Sequence, residues 1–347
     1  MEDGKIFLRV AILSYNRPAE LERALKSLLP IPDGVEVVVY DDKSPRSAEI
    51  SSVKTRASLL EPRVRFVHRA YNLGYDRNLL EAISDESAKY VVLLSDDDML
   101  EDSTLSNIVD GLKKHSPTVA FVRYVENLKR IVGGERESSP KRIRRDMADT
   151  AYFPPSELNN GSVVFFAILF SGLVFKTNEV NLKRATLDQF IGSIYIQVAI
   201  FLLLFKEHGA LFLKGPGVIV GGDGENGFGK NDAGANDADL VNRSSTTSNI
   251  KFQKRLVGVV NSLTPTLGHS FNKSFFGTFN LRSLSGLRHA RLVSRRDCRA
   301  YWTGFRGVTK NLRIGHLLCF ILIYLLPRRL VKFSGELADA HLLRIFK

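Results

Sequence analysis

The chain has 347 residues, 44% hydrophobic and 25% charged, which fits one large globular domain or two ordinary ones with a real core. Its two cysteines, Cys298 and Cys319, exclude a disulfide framework and a cysteine-built zinc site and fit a reducing compartment, and the seven histidines show no metal-ligand spacing. The net charge of +12 is uneven: residues 251–347 carry 18 Lys and Arg against 3 Asp and Glu, a net +15, while the first 250 carry 31 against 34, a net −3.

Met1 to Lys5 is followed by no long apolar core and does not read as a signal peptide. Phe7 to Leu13 predicts a buried strand, which Ser14-Tyr15-Asn16-Arg17-Pro18 breaks. Pro18 suits a first helical turn, and Leu21, Ala24, Leu25, Leu28 and Leu29 share one helical face. Val35 to Tyr40 predicts a second buried strand running into Asp41, Asp42 and Ser44. A partly helical polar segment, a short strand from Val64 to Val67 and a helix ending near Ile83 follow. Tyr90 to Leu94 is an apolar run suited to a strand buried on both faces, and it meets Asp96, Asp97 and Asp98. A helix from about Ser103 to Lys114 and a strand from Thr118 to Tyr124 complete the first 125 residues.

This alternation predicts an α/β architecture with a parallel sheet. In such a sheet the polar clusters at Ser14–Arg17, Asp41–Ser44 and Ser95–Asp98 share the carboxyl edge, where open α/β sheets bind ligands. Three adjacent carboxylates repel one another, and a divalent cation relieves that repulsion. Mg²⁺ is usually held by one or two carboxylates plus substrate phosphates, which points to a nucleoside diphosphate. The competing reading is a solvated acidic turn capping the next helix.

Beyond residue 125 the basic run Lys141 to Arg145 and the breaker Pro154-Pro155 predict a long loop or lid. Val163 to Phe175 is apolar but interrupted by Ser171-Gly172. Phe190 to Phe205 is too short to span a membrane and reads as a buried helix, and Leu211 to Val220 as a strand broken by Gly-Pro-Gly. Gly222 to Gly227 has Gly-x-Gly-x-x-Gly spacing, but no helix opens on it, so Gly221 to Asp239 reads as a mobile loop. From Ile250 the pattern is helical and basic.

Four motifs in order resemble family 2 glycosyltransferases of the bacterial cell-surface polysaccharide type. They are Ser14-Tyr15-Asn16-Arg17, Asp41-Asp42 with Ser44, Asn72-x-Gly74-x-x-Arg77-Asn78, and Leu94-Ser95-Asp96-Asp97-Asp98. The resemblance implies the A-type glycosyltransferase fold: a Rossmann-like, mostly parallel sheet flanked by helices, here with a basic helical C-terminal extension. It implies an inverting transfer from a nucleoside diphosphate sugar to a hydroxyl of a glycan or lipid-linked glycan. It implies nucleotide contacts from Ser14, Tyr15, Arg17, Asp41, Asp42, Arg77 and Asp96, and Mg²⁺ or Mn²⁺ held at the DxD motif by Asp97 and Asp98. Ser95 stands where the family usually has its first Asp, which leaves open which two of the three carboxylates reach the ion. Asp188, just before a predicted helix, matches the family's usual base position, and its alternative role is to cap that helix. Asp223 and Glu225 are the next candidates for the base. The expected division is a nucleotide-sugar half at 1–125, an acceptor half at 126–249 and a basic helical region at 250–347.

Two other functions compete. A nucleotidyltransferase on a related sheet would want a Gly-rich phosphate loop after the first strand, and Ser14 to Pro18 contains no glycine. A non-catalytic nucleotide-sugar or nucleic-acid binder could use the basic tail, but the acidic strand ends repel a polyanion, so no nucleic acid is expected. Leu317 to Leu326 is ten apolar residues between cations, too short to span a bilayer. It suits a helix lying on an anionic membrane or, alternatively, a core helix. The first reading makes the chain cytoplasmic and peripheral on the cytoplasmic face of the membrane.

Overall fold

The computed structural model describes residues 6–127, 147, 149–221, 246–309, 314–327 and 329–331. It divides into two compact units. The first takes in the described residues to Leu158 and again 163–221; the second takes in 159–162 and the described residues from 246 onward.

The first unit is built on a nine-stranded sheet. Its strands are β1 (Ile6–Ser14), β2 (Val35–Asp41), β3 (Val64–His68), β4 (Ala88–Ser95), β5 (Met99–Leu100), β6 (Val119–Asn127), β7 (Ala151–Phe153), β8 (Leu173–Lys176) and β9 (Ala210–Val220). The order is β3-β2-β1-β4-β8-β6-β9-β5, with β7 also pairing with β9. β3, β2, β1 and β4 run parallel, as expected of apolar runs buried on both faces: every residue of β2 is buried. β8 runs antiparallel between β4 and β6, so β6 keeps the direction of β4. β9 is one strand rather than two: it passes Gly-Pro-Gly with register shifts against β6.

The flanking helices are α1 (Pro18–Lys26), α2 (Ser47–Leu60), α3 (Tyr75–Ser84), α4 (Thr104–His115), the short α5 (Thr177–Asn181) and α6 (Arg184–Leu187), and α7 (Ile196–His208). α1 buries the predicted face through Leu21, Ala24 and Leu25, but it ends at Lys26, and of the two predicted residues beyond it Leu28 is buried and Leu29 exposed. α7 buries every residue from Ile196 to Phe205, a stretch apolar on all sides except at Gln197. The segments 1–125 and 126–249 thus share one sheet, because β8 and β9 come from the second of them.

The second unit is helical: α8 (Thr246–Leu267), α9 (His269–Val293), α10 (Arg295–Arg306) and α11 (Ile314–Leu325). Phe275, Phe276 and Phe279 of α9 form a buried aromatic core with Tyr301, Trp302 and Phe305 of α10, joined through the Phe279–Phe305 contact. α11 is held along one side. The Trp302 and Phe320 rings stack at 4.7 Å, and Arg299 donates to the Tyr324 hydroxyl at 2.7 Å. Arg291 donates to the carbonyls of Tyr324 and Leu326, satisfying the helix end. No residue of α11 is buried, and Ile314, Leu317, Leu318, Ile321, Leu322 and Leu325 are exposed. Among the described residues no helix is long and apolar enough to cross a membrane. The predicted lid residues Lys141 to Arg145, and the predicted mobile loop beyond Gly221, lie outside the described residues.

Candidate functional site

Strand register brings the polar strand ends together. Ser14 pairs with Asp41, and Leu13 with Ser95, so β1, β2 and β4 end at one edge. The loop after β1 then meets the acids after β4. The Tyr15 amide donates to Asp96 Oδ2 at 3.0 Å, and Arg17 Nη1 lies 3.0 Å from Asp96 Oδ1 and 3.1 Å from Asp97 Oδ2. The same loop meets β2: the Asn16 amide donates to Ser44 Oγ at 2.8 Å, and Ser44 Oγ in turn donates to Asp41. Asp42 accepts from the amides of Leu73 and Gly74 at 2.6 and 2.9 Å, fixing the loop that enters α3. Gly74 precedes that helix at φ +78°, a conformation that favours glycine. Arg77 is exposed on α3.

The three consecutive acids have different surroundings. Ser95 Oγ donates to Asp97 Oδ1 at 2.5 Å, and Asp97 is the most accessible of the three, with 15% of its side chain exposed. Asp98 is turned inward. It accepts from Ser171 Oγ at 2.6 Å and from the Gly221 amide at 2.8 Å, so both oxygens serve to close the fold. A side chain at residue 221 has no room, because a Cβ there would lie 1.7 Å from the Asp97 carbonyl oxygen. Burial, with Asp97 adding repulsion and Arg17 opposing, pushes Asp96 up to about 7. Burial and the Asp97 charge push Asp98 up to about 7 against its two hydrogen bonds. Burial also raises Asp42, against the amides of Leu73 and Gly74. For Arg17, burial works to lower the pKa, but Asp96 and Asp97 together outweigh it and leave it raised.

Asp188 is not brought to this cluster. It is exposed and pairs with Arg184 at 3.2 Å. Arg184 in turn binds Ser84 Oγ at 2.9 Å and Glu81 at 2.7 Å, in the last turn of α3. That turn leads into the start of β4, whereas the acids follow its end. The length of β4, at about 3.3 Å per residue, separates the two edges by roughly 20 Å. Asp223 and Glu225 lie outside the described residues. Gln197, at the start of α7, accepts from the Tyr75 hydroxyl at 3.1 Å and donates to the Ile168 carbonyl at 3.0 Å, so its polar group is satisfied inside the fold.

Several contributors were not singled out in the sequence. His68 Nδ1 lies 3.2 Å from Asp41 Oδ2. Arg69 bonds Asn78 at 3.0 Å and stacks over the Tyr40 ring. Ser171 receives the Ser95 amide while donating to Asp98. Ser171 did leave a signal: it interrupts the apolar run from Val163 to Phe175.

The family model described as glycosyl transferase family 2 matches residues 9–170, the stretch that supplies all these strand ends. Residues 9–170 are a glycosyl transferase family 2 domain. The curated relatives are distant. A 205-residue stretch is 26% identical to a GalNAc(5)-diNAcBac-PP-undecaprenol beta-1,3-glucosyltransferase of Campylobacter jejuni, over 58% of this chain and 60% of that protein. An uncharacterized glycosyltransferase of Haemophilus influenzae is 25% identical over 118 residues, 34% of this chain and 36% of that protein. The chain therefore matches less than two thirds of the length of either relative. Among solved structures, S. aureus TarS 1–349 in complex with UDP-GlcNAc is similar, with TM-score 0.50 and 14% identity over 87% of this chain and 90% of that one. That likeness, together with the sheet, identifies the A-type glycosyltransferase fold.

The donor set of this family 2 domain fits a divalent ion. Oxygens of two carboxylates, Asp96 Oδ1 and Asp97 Oδ2, converge on one cationic atom, Arg17 Nη1, so a cation position already exists. Among the described residues no cluster of three or more His, Cys, Asp or Glu could hold a metal by itself, so any ion here would need further oxygens from its ligand. Asp98, expected to be a ligand with Asp97, has both oxygens engaged by Ser171 and Gly221.

Proposed function

We propose that the chain transfers a sugar from a nucleoside diphosphate sugar to a hydroxyl of a glycan or lipid-linked glycan, with inversion at the anomeric carbon. The observation that carries this reading is the meeting of Arg17 with Asp96 and Asp97 at the carboxyl edge of β1 and β4, inside a family 2 domain. The donor half is 1–125. Ser14, Tyr15 and Arg17 form its nucleotide loop, Asp41 and Asp42 flank the base, Arg77 lies toward the nucleotide and Asp96 toward the ribose. Asp97, sharing the ion with Asp96, would hold Mg²⁺ or Mn²⁺, and the bound ion would offset the charge of the diphosphate leaving group. The acceptor half is 126–249. A lipid-linked acceptor is supported by the Campylobacter relative, whose name specifies an undecaprenol-linked substrate. Asp188, on the far edge, has no part in this reading.

The same reading places the protein peripherally on the anionic cytoplasmic face of a membrane, through 250–347. α11 supports it with an exposed apolar stripe, and Arg295, Arg296, Arg306 and Arg329 are exposed cations of the same unit.

The test is incubation with a panel of nucleoside diphosphate sugars and Mg²⁺ or Mn²⁺, beginning with UDP-sugars, the donor class in the TarS complex. Slow release of nucleoside diphosphate from one donor is expected. Binding and hydrolysis of none of them would remove the donor reading.

A further inference from the structure

Arg17 is the last residue before α1, and its side chain is 13% exposed. All six oxygens of the acidic triad are engaged by protein groups, five in hydrogen bonds and Asp97 Oδ2 in an ion pair with Arg17. Asp96 takes the Tyr15 amide and Arg17, Asp97 takes Ser95 Oγ and Arg17, and Asp98 takes Ser171 Oγ and the Gly221 amide. Of these donors Arg17 alone is charged. A single guanidinium nitrogen thus bridges the two carboxylates that a divalent ion would use. An ion between Asp96 and Asp97 would need the same two oxygens, and two cations a few ångströms apart repel strongly in so buried a place.

We propose that Arg17 and a divalent ion are alternative partners of Asp96 and Asp97, and that the donor's diphosphate releases Arg17 to admit the ion. The proposal rests on the nucleoside diphosphate reading above. The planar fork of an arginine suits phosphate oxygens as well as carboxylates, so Arg17 exchanges one anionic partner for another. The ion brings two charges where the guanidinium brought one, and the diphosphate supplies the anions that balance it. Arg17 is a positioning residue in this exchange, since it decides when Asp97 is open to metal. Without nucleotide it offsets part of the charge of Asp96 and Asp97 and keeps metal affinity low. With nucleotide it moves aside and the ion is held between protein and phosphate. Ion and nucleotide therefore bind with positive coupling, each strengthening the other by the same factor.

The experiment titrates Mn²⁺ into the full chain, reading free Mn²⁺ by electron paramagnetic resonance, with and without UDP or GDP. It compares wild type with Arg17→Ala and with Arg17→Gln, which keeps more bulk but removes the charge. Circular dichroism establishes that each variant is folded. In wild type the nucleotide should strengthen Mn²⁺ binding by roughly 5–150-fold, the usual span of coupling between two ligands. The folded variants should bind Mn²⁺ more tightly than wild type when nucleotide is absent, and should lose most of that coupling. If neither variant folds alone, rescue of its circular dichroism by Mn²⁺ without nucleotide supports the exchange, and failure of Mn²⁺ to rescue it overturns it. Equal Mn²⁺ affinity in wild type and variants without nucleotide overturns the proposal, as does an ion bound by none of them. A nucleotide bound by none, with Mn²⁺ still tighter in the variants, keeps Arg17 as the competing cation but removes the donor reading.

Discussion

The Gly221 amide donates to Asp98 Oδ1 across 123 residues of sequence, pinning the end of β9 to the turn after β4. With the Ser171 hydroxyl on its other oxygen, Asp98 is a fastening point, while its neighbour Asp97 faces the open edge. Asp98→Ala leaves two polar groups without their partner, at about 1–3 kcal/mol for each that stays buried. Its urea midpoint should therefore fall clearly, with activity lost through the fold. Asp97→Ala should denature near wild type and yet lose turnover. Equal instability of the two variants would contradict this division of labour.

Asp188→Asn removes a carboxylate that is exposed and paired with Arg184 beside the start of β4. Turnover of the best donor should stay within a few-fold of the parent. A general base would cost roughly 10²–10⁴-fold when neutralised. A loss of that size would bring Asp188 back into the reaction and require a large movement of its segment.

Flotation with liposomes checks the placement of α11. Binding should need anionic lipid and weaken with salt, as polybasic attraction does. Leu318→Glu with Leu322→Glu, both at exposed positions of the stripe, should abolish flotation while leaving soluble, folded protein. Wild-type protein that ignores anionic vesicles at low salt would end the membrane reading.

The two cysteines should differ in reactivity. Cys298 is fully buried in α10, and burial pushes its thiol up to about 11. The neutral thiol is the favoured form in the folded state, so its contribution to stability is complete below the ordinary value of 9.0 and is lost as pH rises through about 11. A thiol reagent at pH 8 should label Cys319, which is partly exposed, and spare Cys298 until the chain is denatured. Rapid native labelling of both would contradict the packing of α10.

The sequence made the parallel strands legible because burial on both faces demands unbroken apolar runs, as in Val35–Tyr40 and Tyr90–Leu94. The convergence of Ser14–Arg17 with Asp96 was legible for the same reason, since parallel strands share their carboxyl edge. β5 and β8 were not legible: two and four residues are too few to show a period, and their pairing is set by partners far along the chain. Asp188 illustrates a second limit. Its place before a helix suggested the site edge, but α6 carries it to the other end of α3, and only the Arg184 contacts reveal which end. The inward turn of Asp98 was hidden for a like reason, because its partners Ser171 and Gly221 lie 73 and 123 residues away.

The reversed direction of β8 also determines which part of the chain can be rewritten. A parallel strand offers its exit loop to the carboxyl edge, but an antiparallel one offers its entrance. The residues just before β8, ending in Ser171 against Asp98, are therefore delivered to the same rim as the acids. The rim can be remodelled by lengthening that entrance ahead of Ser171, with the β1–β4 frame and the loop after β1 left as they are. A strand that turns back in this way lets one stretch of chain shape the rim while a different stretch holds the sheet beneath it.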